Sequence, residues 1–278
     1  MNIRKNRPIL ITGCSSGIGR CVARGLKERG YPLFASARKR EDVARLQAEG
    51  FESLHLDLAD SSSIDSAVDA LLERTDGRLY ALFNNGAYVQ PGAVEDISRD
   101  VLREQFETNL FGWHQLTRRL LPVMRNRGEG RIIQNSSVLG FVALSHRGAY
   151  NASKYALEGL SDTLRLELHG SNIHISLIEP GPIKSRFRAN GYAMYKKNID
   201  AENSHHRNAY RAMEERLTKE GPAVPLTQPP EAVLKRVIHA LESPRPQARY
   251  YVTFPTYLFG TLKRLLPTRA MDWVLRKV

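Results

Sequence analysis

A short apolar run, Ile9 to Thr12, gives way to Gly13, Cys14, Ser15, Ser16, Gly17, Ile18 and Gly19, after which Ile18, Val22 and Leu26 recur every four residues. That order reads as a strand, a tight turn and a helix with one apolar face. Glycines let the turn come close to a pyrophosphate, and the amides and positive dipole end of the following helix stabilise its charge. The spacing of Gly13, Gly17 and Gly19 differs from the G-x-G-x-x-G of other dinucleotide folds. A bare glycine turn is the plain alternative; a strand before it and a helix after it favour a nucleotide.

The same alternation continues along the chain. Strands are expected at Tyr31 to Ala37, Ser53 to Leu58, Leu79 to Asn84, Arg131 to Ser136, Ile173 to Ile178 and Ala248 to Thr253. Helices are expected at Asp42 to Ala48, at Ile64 to Leu72 behind a serine-rich cap, from about Val101 to Met124, from about Tyr150 to Leu168, and at Glu231 to Leu241. Such a pattern calls for an α/β fold, a parallel sheet with helices on both faces. With 278 residues and no repeat or linker, residues 1–278 read as a single domain. Arg186 to Asn208 is polar, basic and without a clear period, and Gly221 to Pro230 is rich in proline. Residues 186–230 therefore read as a mobile segment covering the substrate, bounded by helices. Residues 255–278 mix apolar side chains with Lys263, Arg264, Arg269, Arg276 and Lys277, a basic amphipathic tail.

After the second strand, where a site that prefers NAD would place an acid for the ribose hydroxyls, the chain reads Ala37, Arg38, Lys39, Arg40. The planar fork of Arg38 suits the 2′-phosphate of NADP(H), with Lys39 or Arg40 adding charge. A solvated basic helix start is the bland reading. Asp57, with the backbone of Leu58, is placed to bind the adenine amino group; a turn cap is the alternative.

Tyr150 and Lys154 stand four apart on a predicted helix, so both project from one face, and Ser137 lies just past the fifth strand. A free tyrosine has a pKa near 10, and a neighbouring ammonium together with a cationic nicotinamide ring is expected to lower it until it serves as an acid or base. Ser137 can hydrogen-bond the substrate oxygen, and Asn109 can hold a water that relays protons behind Lys154. Each of these residues alone has a dull explanation as a cap, a backbone partner or a common helix spacing. Their order along the chain, after the glycine loop, points to hydride chemistry.

Over about residues 8 to 185 the sequence resembles a short-chain dehydrogenase/reductase of the single-domain type, on Thr12 to Gly19, Asp57, the run Asn84, Asn85, Gly86, then Asn109, Ser137, Tyr150, Lys154 and the turn Pro180, Gly181, Pro182, Ile183, Lys184, Ser185. The resemblance implies a doubly wound Rossmann-type sheet of about seven strands with a C-terminal helical lid and tail, and a catalytic set of Asn109, Ser137, Tyr150 and Lys154. It also implies that Asn85, Gly86, Pro180, Gly181, Ile183 and Ser185 join the glycine loop, Arg38, Lys39, Asp57, Leu58, Tyr150 and Lys154 around the cofactor. Gly86 and Ala87 reverse the usual Ala, Gly order, and Ser185 replaces the usual threonine while keeping its hydroxyl. Cys14, Arg38, the run Glu179 to Phe187 and the tail from Leu262 to Pro267 are similar to bacterial NADPH-dependent aldehyde reductases of that family, a group that also resembles retinol and hydroxysteroid dehydrogenases.

The expected activity is NADPH-dependent reduction of an aldehyde or ketone. A dehydrogenase for a bulky apolar alcohol and a non-catalytic NADP-binding sensor or scaffold are the alternatives. Val138 to Tyr150 and the segment Arg186 to Glu220, with Phe187, Tyr192, Met194 and Tyr195, are expected to line an apolar substrate pocket, or else to be ordinary lid packing. The 41 Lys and Arg outnumber 29 Asp and Glu, for a net charge of +12, but they are dispersed without a reader motif, so nucleic acid is not an expected partner. The basic start from Met1 to Pro8 leads into a β-branched run and no apolar run reaches about 18 residues, so a cytoplasmic location is expected. Three readings of the tail stay open: a membrane surface, closure of the pocket, or packing against another subunit of a homo-oligomer. Cys14 and Cys21 read as free thiols, and His205 and His206 as a solvated loop instead of a metal site.

Overall fold

The computed structural model describes residues 6–221 and 224–278. Met1 to Lys5 of the basic start, and Pro222 and Ala223 of the covering segment, lie outside the described residues. Seven parallel strands form one sheet in the order β3-β2-β1-β4-β5-β6-β7. They are β1 (Ile9–Ile11), β2 (Leu33–Ala37), β3 (Glu52–His55), β4 (Ala81–Asn84), β5 (Gly130–Asn135), β6 (Ile173–Glu179) and β7 (Arg249–Tyr251).

Side chains of a strand alternate between faces, and here both faces are covered. Ile9 and Ile11 pack into one core with Val22, Leu26, Leu46, Val233 and Val237, from α1 (Gly17–Glu28), α2 (Arg40–Ala48) and α9 (Glu231–Glu242). Leu10 points into the other core, against Ile64, Val68, Trp113, Leu116 and Leu157. Those residues come from α3 (Ser61–Arg74), α5 (Gly112–Arg127) and α6 (Gly148–Glu167). Sequence chemistry sets several helix ends. Asp60 accepts from the amides of Ser62 and Ser63 to start α3, and Gly128 closes α5 at φ +76°. Ile9 pairs with both Leu33 and Ala81, so the chain winds outward in both directions from β1. The crevice beyond the carboxyl ends of β1 and β4 is where such a sheet binds ligands.

Three segments differ from expectation. The helix foreseen from Val101 to Met124 runs instead as α4 (Arg99–Phe106), a π-helical turn at Glu107–Phe111, and α5. Such wide turns commonly mark functional sites, and this one carries the buried Asn109. The aperiodic covering segment is helical over α7 (Phe187–Asn198) and α8 (Arg207–Thr218). Its order comes from tertiary packing of Tyr195, Tyr210, Met213 and Leu217 against Ala93. The tail folds into α10 (Phe254–Leu265) and α11 (Thr268–Leu275), whose inner face joins a cluster around Tyr150.

Candidate active site

The glycine loop is built for close approach. Gly13 adopts φ +71°, and a Cβ there would stand 2.6 Å from the Cα of Gly86. A Cβ on Gly19 would meet the Gly13 carbonyl oxygen at 2.3 Å. Both positions exclude any side chain. Ser16 precedes α1 in extended conformation and makes no side-chain cap bond, so no side chain closes the first amides of that helix. Ser185 lies over the loop, its Cβ 3.0 Å from the place a Cβ on Gly17 would take.

Hydrogen bonds link this loop to the chemical residues. The Asn85 amide nitrogen donates to the carbonyls of Thr12 (2.9 Å) and Gly13 (3.2 Å), and its Oδ1 accepts from Asn135 Nδ2 at 2.9 Å. The Asn135 carbonyl accepts in turn from Lys154 Nζ at 2.8 Å. Thr12 Oγ1 accepts from the amides of both Asn85 and Gly86 at 2.8 Å, so the reversed Gly86, Ala87 order leaves this joint intact. The side chain and the backbone amide of Asn85 are therefore spent within the protein, which leaves its carbonyl oxygen for a ligand.

Ser137 follows β5 and Tyr150 and Lys154 stand one turn apart on α6, all buried. Lys154 Nζ sits 4.2 Å from the centre of the Trp113 ring and 5.8 Å from that of Tyr150. Burial pushes the Tyr150 phenol up to about 12, with a hydrogen bond to Ser137 pulling against the rise. The lowering expected from Lys154 is therefore not produced by the polypeptide alone: desolvation raises the phenol and the opposing contribution comes from Ser137. The same burial pushes Lys154 down to about 7, with Glu158 pulling it back up. Asn109, in its π turn, donates to the Tyr88 carbonyl (2.9 Å) and Ser153 Oγ (3.3 Å) and accepts from the Tyr88 amide (3.2 Å). It braces the segment after β4 against α6.

Behind Lys154 lies a group that sequence reading passed over. Arg249 on β7 bonds Glu158 (3.0 Å) and Asp162 (2.7 Å) of α6 and lies 3.2 Å from Glu179 at the end of β6. Burial pushes Glu179 up to about 9, with Glu158 adding to the rise and Arg249 opposing it. Burial raises Glu158 too, so the two carboxyls hold a proton at neutral pH. The signal was available: Tyr150, Lys154 and Glu158 repeat at intervals of four, which places them on one helical face.

On the adenine side, Arg38 is exposed at the end of β2 and makes no hydrogen bond or ion pair with another described residue. Lys39 caps α2 and lies 3.7 Å from Glu41. Asp57 Oδ1 accepts from the Ala59 amide at 3.0 Å, so the turn-cap reading holds for that oxygen. Leu58 is buried beneath Gly112, where a Cβ would strike the Leu58 carbonyl at 2.0 Å. The Pro180 carbonyl accepts from Val138, Gly181 packs against Thr253, and Ile183 bridges Gln228. Ser185 Oγ accepts from Phe187 at the start of α7. The side-chain-free loop and the helix start that Ser16 leaves uncapped fit a dinucleotide, with the exposed Arg38 guanidinium at the end of β2 beside them.

On the substrate side, Tyr150 packs with Val89, Leu139, Val142 and Met271, and its ring meets Phe187 edge to face at 5.5 Å. Tyr192 and Tyr195 belong to a separate core under α7 and α8, the lid packing that was the alternative expectation for them. Phe259, Leu262 and Leu266 of the tail close over the Tyr150 cluster in their stead. His205 is exposed in the turn before α8, as expected, whereas His206, the residue preceding that helix, bonds Glu95 and packs against His146 and Tyr210. Cys14 and Cys21 are free thiols, and burial holds them protonated at about 12 and about 11.

Residues 7–196 match the family described as short chain dehydrogenase. An uncharacterized oxidoreductase of Escherichia coli (strain K12), YbbO, is 44% identical over 270 residues, covering 97% of this chain and 94% of that one. An NADPH-dependent 3-dehydrocapnine reductase of Ornithobacterium rhinotracheale is 30% identical, covering 98% and 96%. The crystal structure of a short chain dehydrogenase/reductase from Burkholderia phymatum in complex with NAD superposes with a TM-score of 0.78 at 25% identity, covering 99% of this chain and 97% of that one.

Proposed function

The chain belongs to the short-chain dehydrogenase family, and from that premise we propose that it is a carbonyl reductase that uses NADPH and protonates its product from Tyr150. One observation carries this reading: Tyr150 is buried against Ser137 and an apolar cluster, while Lys154, a turn away, is tied through Asn135 and Asn85 to the glycine loop. When bound, NADP(H) supplies the hydride at its nicotinamide.

The residues supply position and the proton. The Ser137 hydroxyl holds the carbonyl oxygen beside the Tyr150 phenol. The phenol is in its protonated form at neutral pH and donates that proton to the alkoxide oxygen as the hydride arrives. Lys154 Nζ holds the ribose next to the nicotinamide and replenishes positive charge near the phenolate left behind. Arg38 binds the 2′-phosphate, which supports NADPH over NADH. The NADPH-dependent relative agrees with that preference, and the NAD-bound structure shows that the fold also admits the other cofactor.

The apolar cluster of Val89, Leu139, Val142, Phe187 and Met271 favours a bulky apolar carbonyl, which keeps a retinol- or hydroxysteroid-like substrate as the second reading. Kinetics of Tyr150→Phe test the assignment. The expected outcome is a kcat for NADPH oxidation lower by on the order of 10²- to 10⁴-fold, with the Kd for NADPH within about threefold. Turnover retained in the variant would remove Tyr150 from its role. Absence of turnover in the unaltered protein with aldehydes, steroids and retinoids alike would favour a sensor or scaffold.

A further inference from the structure

Helix α10 has two apolar faces. Its inner side sends Phe259, Leu262 and Leu266 onto the cluster around Tyr150. Its outer side carries Phe254, Tyr257, Leu258 and Leu265, spaced by three, four and seven along one stripe and all exposed, Leu265 to 73%. Trp273 of α11, the next helix in the chain, is 60% exposed as well. Core packing accounts for the first set; in the second, Tyr257 meets the Tyr251 ring edge to face, and Phe254, Leu258 and Leu265 are left without a role.

Cations border this outer face. Arg264 lies on the α10 stripe, Arg269 and Arg276 flank Trp273 on α11, and Lys277 Nζ lies 3.6 Å from the centre of the Trp273 ring. Arg236 reaches across from α9 to the Tyr257 hydroxyl at 3.2 Å. Between Pro255 and Val278 the only acid is Asp272, against Lys263, Arg264, Arg269, Arg276 and Lys277. No helix among the described residues is long and apolar enough to cross a membrane. Aromatic and aliphatic side chains set among arginines and lysines are the composition of a helix lying in the interface of an anionic bilayer. A second copy fits less well, since a two-fold contact would bring Arg264, Arg269 and Arg276 of both chains together, on molecules that each carry +12.

We propose that the outer face of α10 and α11 docks the protein on the surface of an anionic lipid bilayer, with Phe254, Leu258, Leu265 and Trp273 entering the interface and Arg264, Arg269, Arg276 and Lys277 meeting the headgroups. The inference is read from surface chemistry and does not depend on the reaction assigned above. Should that reaction also hold, the helices that touch lipid are the ones that roof the substrate cluster.

The two tryptophans make the test specific, because Trp113 is fully buried in the core and Trp273 is not. The full chain is mixed with vesicles of phosphatidylcholine alone or with added phosphatidylglycerol, and flotation and tryptophan emission are read together. Expected are flotation with the anionic vesicles, its loss at high salt, and a blue shift that disappears in Trp273→Phe. Leu258→Ser with Leu265→Ser, and separately Arg264→Glu with Arg269→Glu and Arg276→Glu, should each weaken binding by on the order of tenfold or more. Both variants should keep the melting temperature and the turnover of a water-soluble carbonyl. No flotation with anionic vesicles, or flotation that leaves Trp273 emission unchanged, would overturn the proposal. So would a dimer that forms without lipid and dissociates in the Leu258, Leu265 variant, which would assign the face to a second copy. Missing turnover in every form would count against the carbonyl reductase reading and leave the docking result standing.

Discussion

Burial under Phe187 raises the Tyr150 phenol above an ordinary tyrosine, so in the proposed reaction the protonated form is the one that meets the carbonyl. Desolvation also disfavours the charged form of Lys154, pushing it down to about 7 with Glu158 opposing the fall only in part. Tyr150, Lys154, Ser137 and Asn109 could be named from spacing alone; the sign of the effect on Tyr150 could not, because it depends on how much water the tertiary fold removes. In the proposed function, cofactor choice turns on Arg38. Replacing it with alanine should raise the Kd for NADPH tenfold to a hundredfold, roughly the 1.5–3 kcal/mol of a charge-assisted contact, and leave NADH within about twofold. Isothermal titration with both cofactors measures this, and equal losses for the two would refute phosphate selection by Arg38.

Among the elements, α6, β6 and β7 are joined through the Glu158, Glu179 and Arg249 cluster. Glu179 ordinarily titrates near 4.5 and in the fold near 9, so between those values the folded chain holds a proton that the unfolded chain releases. This contribution to stability is complete below the lower value and is lost as pH rises through the upper one. A fall in stability from pH 5 to pH 9 is therefore expected, and Glu179→Gln, which keeps a neutral side chain at every pH, should flatten it when urea melts are compared across that range. A variant as steep as the parent would exclude Glu179 as its source. The cluster escaped sequence reading because Glu179 and Arg249 are far apart in the chain and meet only when β6 pairs with β7. The strands were legible because burial on both faces gave them short continuous apolar runs such as Ile9 to Ile11. Helices α7 and α8 were less so, since their apolar residues pack on one another in a small core of their own. The π turn left no trace in residue periodicity, although it shifts the register at Asn109.

Across the whole molecule, residues at the far end of the chain complete a site begun by the first strand. Phe259, Leu262, Leu266 and Met271 roof the cluster that Leu139, Val142 and Tyr150 form. The amphipathic character of the tail was plain in the sequence, but which apolar residues turn inward was settled only by the helix's contact with the loop after β5. Leu262→Ala combined with Leu266→Ala should raise KM for a bulky apolar carbonyl by on the order of tenfold through lost burial, leaving the NADPH Kd unchanged. A KM unaffected by that pair would mean the roof does not touch substrate. The arrangement of charge and proton donor around the cofactor can be seen outright in a crystal structure of the protein bound to NADPH. It should place the 2′-phosphate on Arg38, the pyrophosphate over Gly13 to Gly19, and the nicotinamide ribose within hydrogen-bond reach of Tyr150 and Lys154. Phosphates bound elsewhere, or a ring to which those two side chains turn their backs, would contradict it.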